Sequence, residues 1–316
     1  MYSKFSKKIA VGVALATAIV PTLSACSSTS SSSSVTASAS KSFPAKIKTA
    51  LGVVTIKSSP KAIISLSPTA TEILFAIGAG KQVLAVDDQS NYPTKAPISK
   101  IAAYTPNLEA IAGMRPDLVV DSNDTSGGVV VSTGLAKFGI KTIEQPAANK
   151  LSDTYTQIVA LGAATGHAKE ASKLILSMKK RIATAISSVK STRKTLTFFQ
   201  ELDSTPYSAT SSTFIGRVYT AFGLKNIADA AAGADKSGYP QLTSEYIVAS
   251  NPDLIFLSDA QYGESATTVA ARPGFNGLKA VQNHGVISLP ADYPSRWGPR
   301  IADFYEFIAK VIKKIG

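Results

Sequence analysis

The sequence predicts an α/β protein of two lobes, each built round a mainly parallel sheet and joined by one long α-helix. Three features predict this. Ala62-Ile63-Ile64-Ser65-Leu66 is a short apolar run of the kind a strand buried on both faces presents. An apolar helical segment ending at Gly78-Ala79-Gly80 and a second strand at Gln82 to Val86 follow it, which makes a βαβ unit. A motif then recurs at an offset of 136 residues: Asn107-Leu108-Glu109-Ala110-Ile111 leads to Pro116-Asp117-Leu118-Val119, and Thr243-Ser244-Glu245-Tyr246-Ile247 leads to Pro252-Asp253-Leu254-Ile255. Between the repeats, residues 168–189 place Ala171, Leu174, Ile175, Met178, Ile182, Ala185, Ile186 and Val189 on a helical rhythm. At 1.5 Å per residue that helix would be ~33 Å long.

From the N-terminus, residues 1–26 read as a signal segment. Lys4, Lys7 and Lys8 form a basic region, and Ile9 to Val20 an apolar stretch that is short of the ~20 residues needed to span a bilayer. Leu23-Ser24-Ala25-Cys26 resembles the lipobox of bacterial lipoproteins, which implies an acylated Cys26 at the mature N-terminus. Residues 27–42 form a tether: eleven of the fourteen residues from 27 to 40 are Ser or Thr, too polar to pack. Residues 43–166 make the N-terminal lobe. Gly52 to Ile56 reads as a strand, Thr69 with Glu72 fits a capping box, and the glycines after Ile77 fit a helix C-cap. Leu118 to Val120 and Lys141 to Ile143 add strands. The interlobe helix takes residues 167–191 and the C-terminal lobe residues 192–316. That lobe has strands near 195–200, 254–257 and 286–289 and a closing helix at 301–314.

Composition removes several classes. One cysteine excludes a disulfide framework and cysteine-based zinc or iron–sulfur sites, and two histidines, His167 and His284, exclude a multi-histidine metal centre. The net charge of +12 is spread along the chain, which fits a solvated basic surface facing an anionic envelope and not a nucleic-acid site. Neither histidine lies near a nucleophile motif, and neither Gly-x-Ser-x-Gly nor a phosphate-binding glycine loop occurs. No catalytic residues and no metal ligands are expected, and the chain reads as a non-enzyme.

The run from Ala62 to Gly80, with Asn91-Tyr92-Pro93, Asn107-Leu108-Glu109 and Arg115-Pro116-Asp117-Leu118-Val119, resembles the substrate-binding proteins of ABC importers. The likeness is to the bilobal class with a single rigid interlobe helix, which takes up vitamin B12, ferric siderophores and haem, and above all to its B12-binding members. It covers nearly all of residues 43–316. The resemblance implies a monomer held outside the bacterial cell membrane by a lipid anchor only. Its partners would be an ABC permease and its ATPase. It would need no cofactor; its ligand would be a metal chelate, a cobalamin-type corrinoid, with a ferric siderophore or haem as alternative. A sensory or adhesive lipoprotein on the same fold is a further alternative. Carried over residue by residue, the ligand site would comprise Tyr92, Tyr104, Tyr207, Tyr239, Asp292, Arg296 and Trp297. Tyrosines stand here where the B12-binding proteins use several tryptophans, and Trp297 is an addition. Glu109 and Glu245 match the paired glutamates that dock on permease arginines; on physical grounds alone, each also fits as a carboxylate at a helix N-terminus.

Overall fold

The computed structural model describes residues 43–122, 131–189, 195–231 and 237–315. The signal segment, Cys26 and nearly all of the tether lie outside the described residues. From Lys41 onward the chain forms one compact unit.

The chain enters through an antiparallel hairpin, β1 (Ala45–Thr49) and β2 (Gly52–Ile56). The expected strand at Gly52 to Ile56 is therefore half of a hairpin outside the parallel sheet. Next come β3 (Ile63–Leu66), α1 (Pro68–Ala76), β4 (Val83–Val86), α2 (Leu108–Gly113), β5 (Leu118–Asp121), α3 (Val131–Ala136) and β6 (Thr142–Glu144). Strands β4-β3-β5-β6 form an all-parallel sheet. Two helices, α4 (Leu151–Thr165) and α5 (Ala168–Ser187), lead to the second lobe. There β7 (Thr197–Glu201), α6 (Phe214–Thr220), β8 (Lys225–Asn226), α7 (Ala228–Ala231), α8 (Ser244–Ser250), β9 (Leu254–Leu257), α9 (Ala266–Ala270), α10 (Lys279–Gln282), β10 (Val286–Ser288) and α11 (Ile301–Ile315) follow. Its sheet, β10-β9-β7-β8, is also all parallel. Among the described residues no helix is long and apolar enough to cross a membrane.

Successive side chains of a strand face opposite ways, and both sheets bury both faces. In β3 and β5, Ile63, Leu118 and Val120 face one core while Ile64, Leu66 and Val119 face another. In β7 and β9, Phe198, Leu254 and Phe256 face the first core while Phe199, Ile255 and Leu257 face a third. The first core therefore contains residues of both sheets, together with Met178 and Ile182 of α5 and Phe304, Ile308 and Ile312 of α11. On the surface of the same helix pair, Arg181 of α5 donates to Glu306 (2.8 and 2.7 Å) and to Asp303 of α11. A core shared by both lobes resists hinge motion, because opening would expose apolar surface now out of water.

The repeat read in the sequence organises both lobes alike. Asp117 accepts hydrogen bonds from the backbone N–H groups of Lys61 (2.7 Å) and Ala62 (3.0 Å), just ahead of β3. Asp253 accepts from the N–H (2.9 Å) and hydroxyl (3.0 Å) of Thr197 at the start of β7. Each aspartate thus ties the entry of its own strand to the neighbouring strand.

Helix α1 departs from expectation at its start. Ser67 is the cap, its hydroxyl accepting from the Ala70 N–H at 3.3 Å. The expected Thr69–Glu72 box does not form, because Glu72 is buried and bonded to Arg300. The C-terminal glycine behaves as expected, with Gly78 left-handed at φ +90°.

Candidate functional site

In a parallel α/β sheet, loops and helix N-termini gather at the carboxyl ends of the strands. Here both lobes deliver such ends to one cleft of about 600 Å³, within the ~300–1,000 Å³ usual for small-molecule sites. Ser67, Pro68 and Thr69, directly after β3, form one wall; Ser212, Thr213 and Phe214, at the start of α6, form another. Thr213 caps α6 by accepting from the Gly216 N–H at 3.0 Å. Gly216 is required by close approach: a Cβ there would sit 1.9 Å from the Thr210 carbonyl oxygen.

Four aromatic side chains line the cleft: Tyr104, Phe214, Tyr239 and Trp297. Tyr104 is 62 % exposed and Tyr239 46 %, so both rings offer free surface. A backbone ladder presents Tyr239: Thr210 donates to Gly238 (2.8 Å), Ser208 to Pro240 (2.9 Å) and Leu242 to Pro206 (2.9 Å). The partial burial of Tyr239 raises its phenol pKa above the usual value.

Among the described residues that line the cleft, Arg296 is the cationic one. It donates to the Gln89 carbonyl (3.4 Å) and the Ser295 hydroxyl (3.2 Å), lies 3.7 Å from Asp292, and leaves its Nε without a partner. Asp292 does not itself line the cleft. It is held between Arg296 and Arg300 (3.3 Å) and accepts from the Asn91 amide at 3.5 Å, so it orients Arg296.

The predicted residues divide accordingly. Tyr104, Tyr239, Arg296 and Trp297 come together in the cleft, with Asp292 behind them. Tyr92 lines a different cavity of about 400 Å³ with Glu72, Met178, Arg181 and Arg300, where the Arg300 guanidinium lies 4.2 Å from its ring centroid. Tyr207 lies outside the cleft lining and forms a bridge with Gln241. Phe214, Gln89 and Asn149 line the cleft and were not anticipated. The α6 cap could have revealed Phe214, since Thr213 opens α6 as Ser67 opens α1.

Glu109 and Glu245 are both exposed in the first turns of short helices, α2 and α8. Asn107 caps the first by accepting from the Ala110 N–H at 2.9 Å, and Thr243 the second by accepting from the Tyr246 N–H at 3.1 Å. His167 precedes α5 with Nδ1 3.0 Å from the Thr165 carbonyl, and His284 sits in the turn before β10.

The sequence profile of the family described as periplasmic binding protein matches residues 63–293. The uncharacterized ABC transporter substrate-binding lipoprotein YvrC of Bacillus subtilis is 32% identical over 277 residues, covering 85% of this chain and 86% of its own length. The periplasmic vitamin B12 binding protein of Vibrio cholerae superposes with a TM-score of 0.67 at 25% identity, covering 81% of this chain and 98% of that one. A possible iron-binding periplasmic solute-binding protein of Staphylococcus epidermidis superposes with a TM-score of 0.69 at 27% identity, covering 81% and 99%.

Proposed function

The chain belongs to the periplasmic binding protein family, and on that premise we propose that it captures a cobalamin-type corrinoid in the interlobe cleft and delivers it to an ABC importer. The single observation that carries this reading is the convergence of Tyr104, Phe214, Tyr239 and Trp297 from both lobes on one cleft. Aromatic faces suit a large flat macrocycle, whose apolar edges they cover while a few polar groups fix its orientation. Arg296, steadied by Asp292, is the polar clamp. Binding involves no chemistry on this chain; ATP hydrolysis belongs to the partner. Glu109 and Glu245 dock on basic residues of the permease, and an acylated Cys26 holds the protein outside the membrane.

A ferric chelate is the second reading, favoured by Arg296, whose guanidinium suits the carboxylate or phenolate oxygens of an anionic ligand. The Staphylococcus epidermidis relative described as possibly iron-binding supports the same reading. Calorimetric titration of residues 41–316 with cyanocobalamin and with a panel of ferric siderophores tests both. One-to-one corrinoid binding is expected. Heat from a siderophore and none from the corrinoid would move the assignment to the second reading.

A further inference from the structure

Every parallel strand of the N-terminal lobe is entered through a loop that carries a base. Lys81 precedes β4, Lys57 and Lys61 precede β3, Arg115 precedes β5, and Lys137 and Lys141 precede β6. Because the strands are parallel, these entries share one edge of the sheet, opposite the edge from which Ser67 leaves β3 for the cleft. All but Lys141 are exposed. Lys57, Lys61 and Lys141 also line one cavity of about 410 Å³ with Ser58 and Ser59. Asp117 is the single carboxylate in these loops, and it accepts from the backbone N–H groups of Lys61 and Ala62. At the other edge the charges are mixed: Asp87 and Asp88 follow β4, Asp121 ends β5 and Glu144 ends β6, while Lys95, Lys100 and Lys150 lie in the loops beyond β4 and β6.

Exposed apolar side chains stand among the bases. Met114 (43 % exposed) adjoins Arg115, and Phe138 (51 %) adjoins Lys137. The β1–β2 hairpin adds exposed Lys46, paired with Thr55 near the end of the hairpin from which Lys57 follows. The chain reaches that hairpin directly from its N-terminal segment, and no Asp or Glu occurs before Glu72. Bases alone would suit any polyanion. Bases interleaved with exposed Phe and Met suit an interface where ammonium groups meet phosphates and apolar tips enter the acyl boundary.

We propose that this basic edge seats the body on an anionic phospholipid surface with the cleft turned away from the membrane. The proposal rests on the extracytoplasmic, lipid-anchored reading. In this pose the cleft faces the medium from which the ligand comes, and delivery requires the body to lift and turn. The seventeen residues from Cys26 to Ser42 reach at most ~60 Å at 3.3–3.6 Å each. A body of this size has a radius of gyration near ~19 Å, so the leash is long enough for that rotation.

Co-sedimentation of residues 41–316 with phosphatidylglycerol–phosphatidylcholine vesicles and with pure phosphatidylcholine vesicles tests this directly. Binding to the anionic vesicles alone is expected, weakened by salt. Substituting Lys57→Gln, Lys61→Gln, Lys81→Gln and Lys137→Gln together should lower it by roughly fivefold per charge. Trp297 is the one tryptophan of the chain and lines the cleft, so brominated lipid should leave its emission unquenched. A Phe138→Trp, Trp297→Phe protein should be quenched. Absent binding, equal binding to both vesicles, an unaffected four-lysine variant, or quenching of Trp297 would each overturn the proposal. Chelate titration of the same four-lysine variant keeps the two readings separable, since the cleft contains none of those lysines.

Discussion

Arg300, the residue before α11, donates to the carboxylate of Glu72 in α1, 228 positions away in the chain. Glu72 is 3 % exposed, and Arg300 also reaches Asp292 at 3.3 Å and covers the Tyr92 ring. Burial pushes the Glu72 pKa up against the opposing pull of Arg300. Burial works against the Arg300 charge too, and Glu72 and Asp292 outweigh it and raise its pKa. The ion pair therefore clamps the loop before α11 onto the first helix of the other lobe.

Removing one partner of such a pair leaves the other buried and uncompensated. Arg300→Met should cost about 3–5 kcal/mol in urea unfolding. Adding Glu72→Met should restore much of the loss, because an apolar pair has no charge to desolvate. A loss for Arg300→Met under about 1 kcal/mol, the range of exposed pairs, would mean that water reaches the clamp.

Two buried aspartates give the fold an acid-side stability. Asp87 (2 % exposed) accepts from the Gln89 N–H at 2.9 Å through Oδ1 and leaves Oδ2 without a partner. Burial raises its pKa from 3.8 to about 6. Asp259 rises to about 6 through burial and the neighbouring Glu201 charge. Both carboxyls bind a proton more tightly folded than unfolded, so this contribution is complete below about pH 4 and lost as pH rises through about 6. Asp87→Asn keeps the Oδ1 acceptor and removes the charge. It should stabilise the protein by on the order of 2–3 kcal/mol at pH 7 and by little at pH 4. Thermal unfolding across that range checks the sign; a variant destabilised at pH 7 would refute it.

What the sequence disclosed and what it hid divide along the range of the interactions. The βαβ unit, the Gly78 cap and the helix N-terminal places of Glu109 and Glu245 rest on neighbours a few residues apart, so they were legible. Strand β1 was not, because its exposed Lys46 and Lys48 alternate with Ala45 and Ile47 in a run too polar to read as a buried strand. Glu72 sits three residues after a threonine and so matched a capping box, whereas its partner lies in the other lobe. Tyr207 and Tyr239 carry similar local signals, both beside a proline. Only the pairing of residues 206–210 with 238–242 decides which ring meets the cleft.

That pairing predicts different consequences for the two tyrosines. Tyr239→Ala and Trp297→Ala each remove an aromatic face and should weaken corrinoid binding about tenfold or more, from stacking and apolar contact of about 1.5 kcal/mol or above. Tyr207→Ala should leave affinity within about twofold, a change under about 0.5 kcal/mol. Calorimetric titration of the three variants decides it. Equal losses at Tyr207 and Tyr239 would place the ligand over the ladder and not in the cleft.

The paired glutamates invite the opposite test, in which affinity must not change. Glu109 and Glu245 occupy the same place in matched helices, one per lobe, and neither lines the cleft. A carboxylate in a first turn contributes ~0.3–1 kcal/mol against the helix dipole, so reversing either charge is a modest cost to a stable fold. Reversing both presents two cations to the basic surface proposed to receive them, and like charges juxtaposed across an interface cost several kcal/mol. Glu109→Arg with Glu245→Arg should therefore abolish uptake in cells while calorimetry shows wild-type ligand affinity. Weakened affinity would assign these residues to the cleft. Unchanged uptake would leave them with the helix dipole alone.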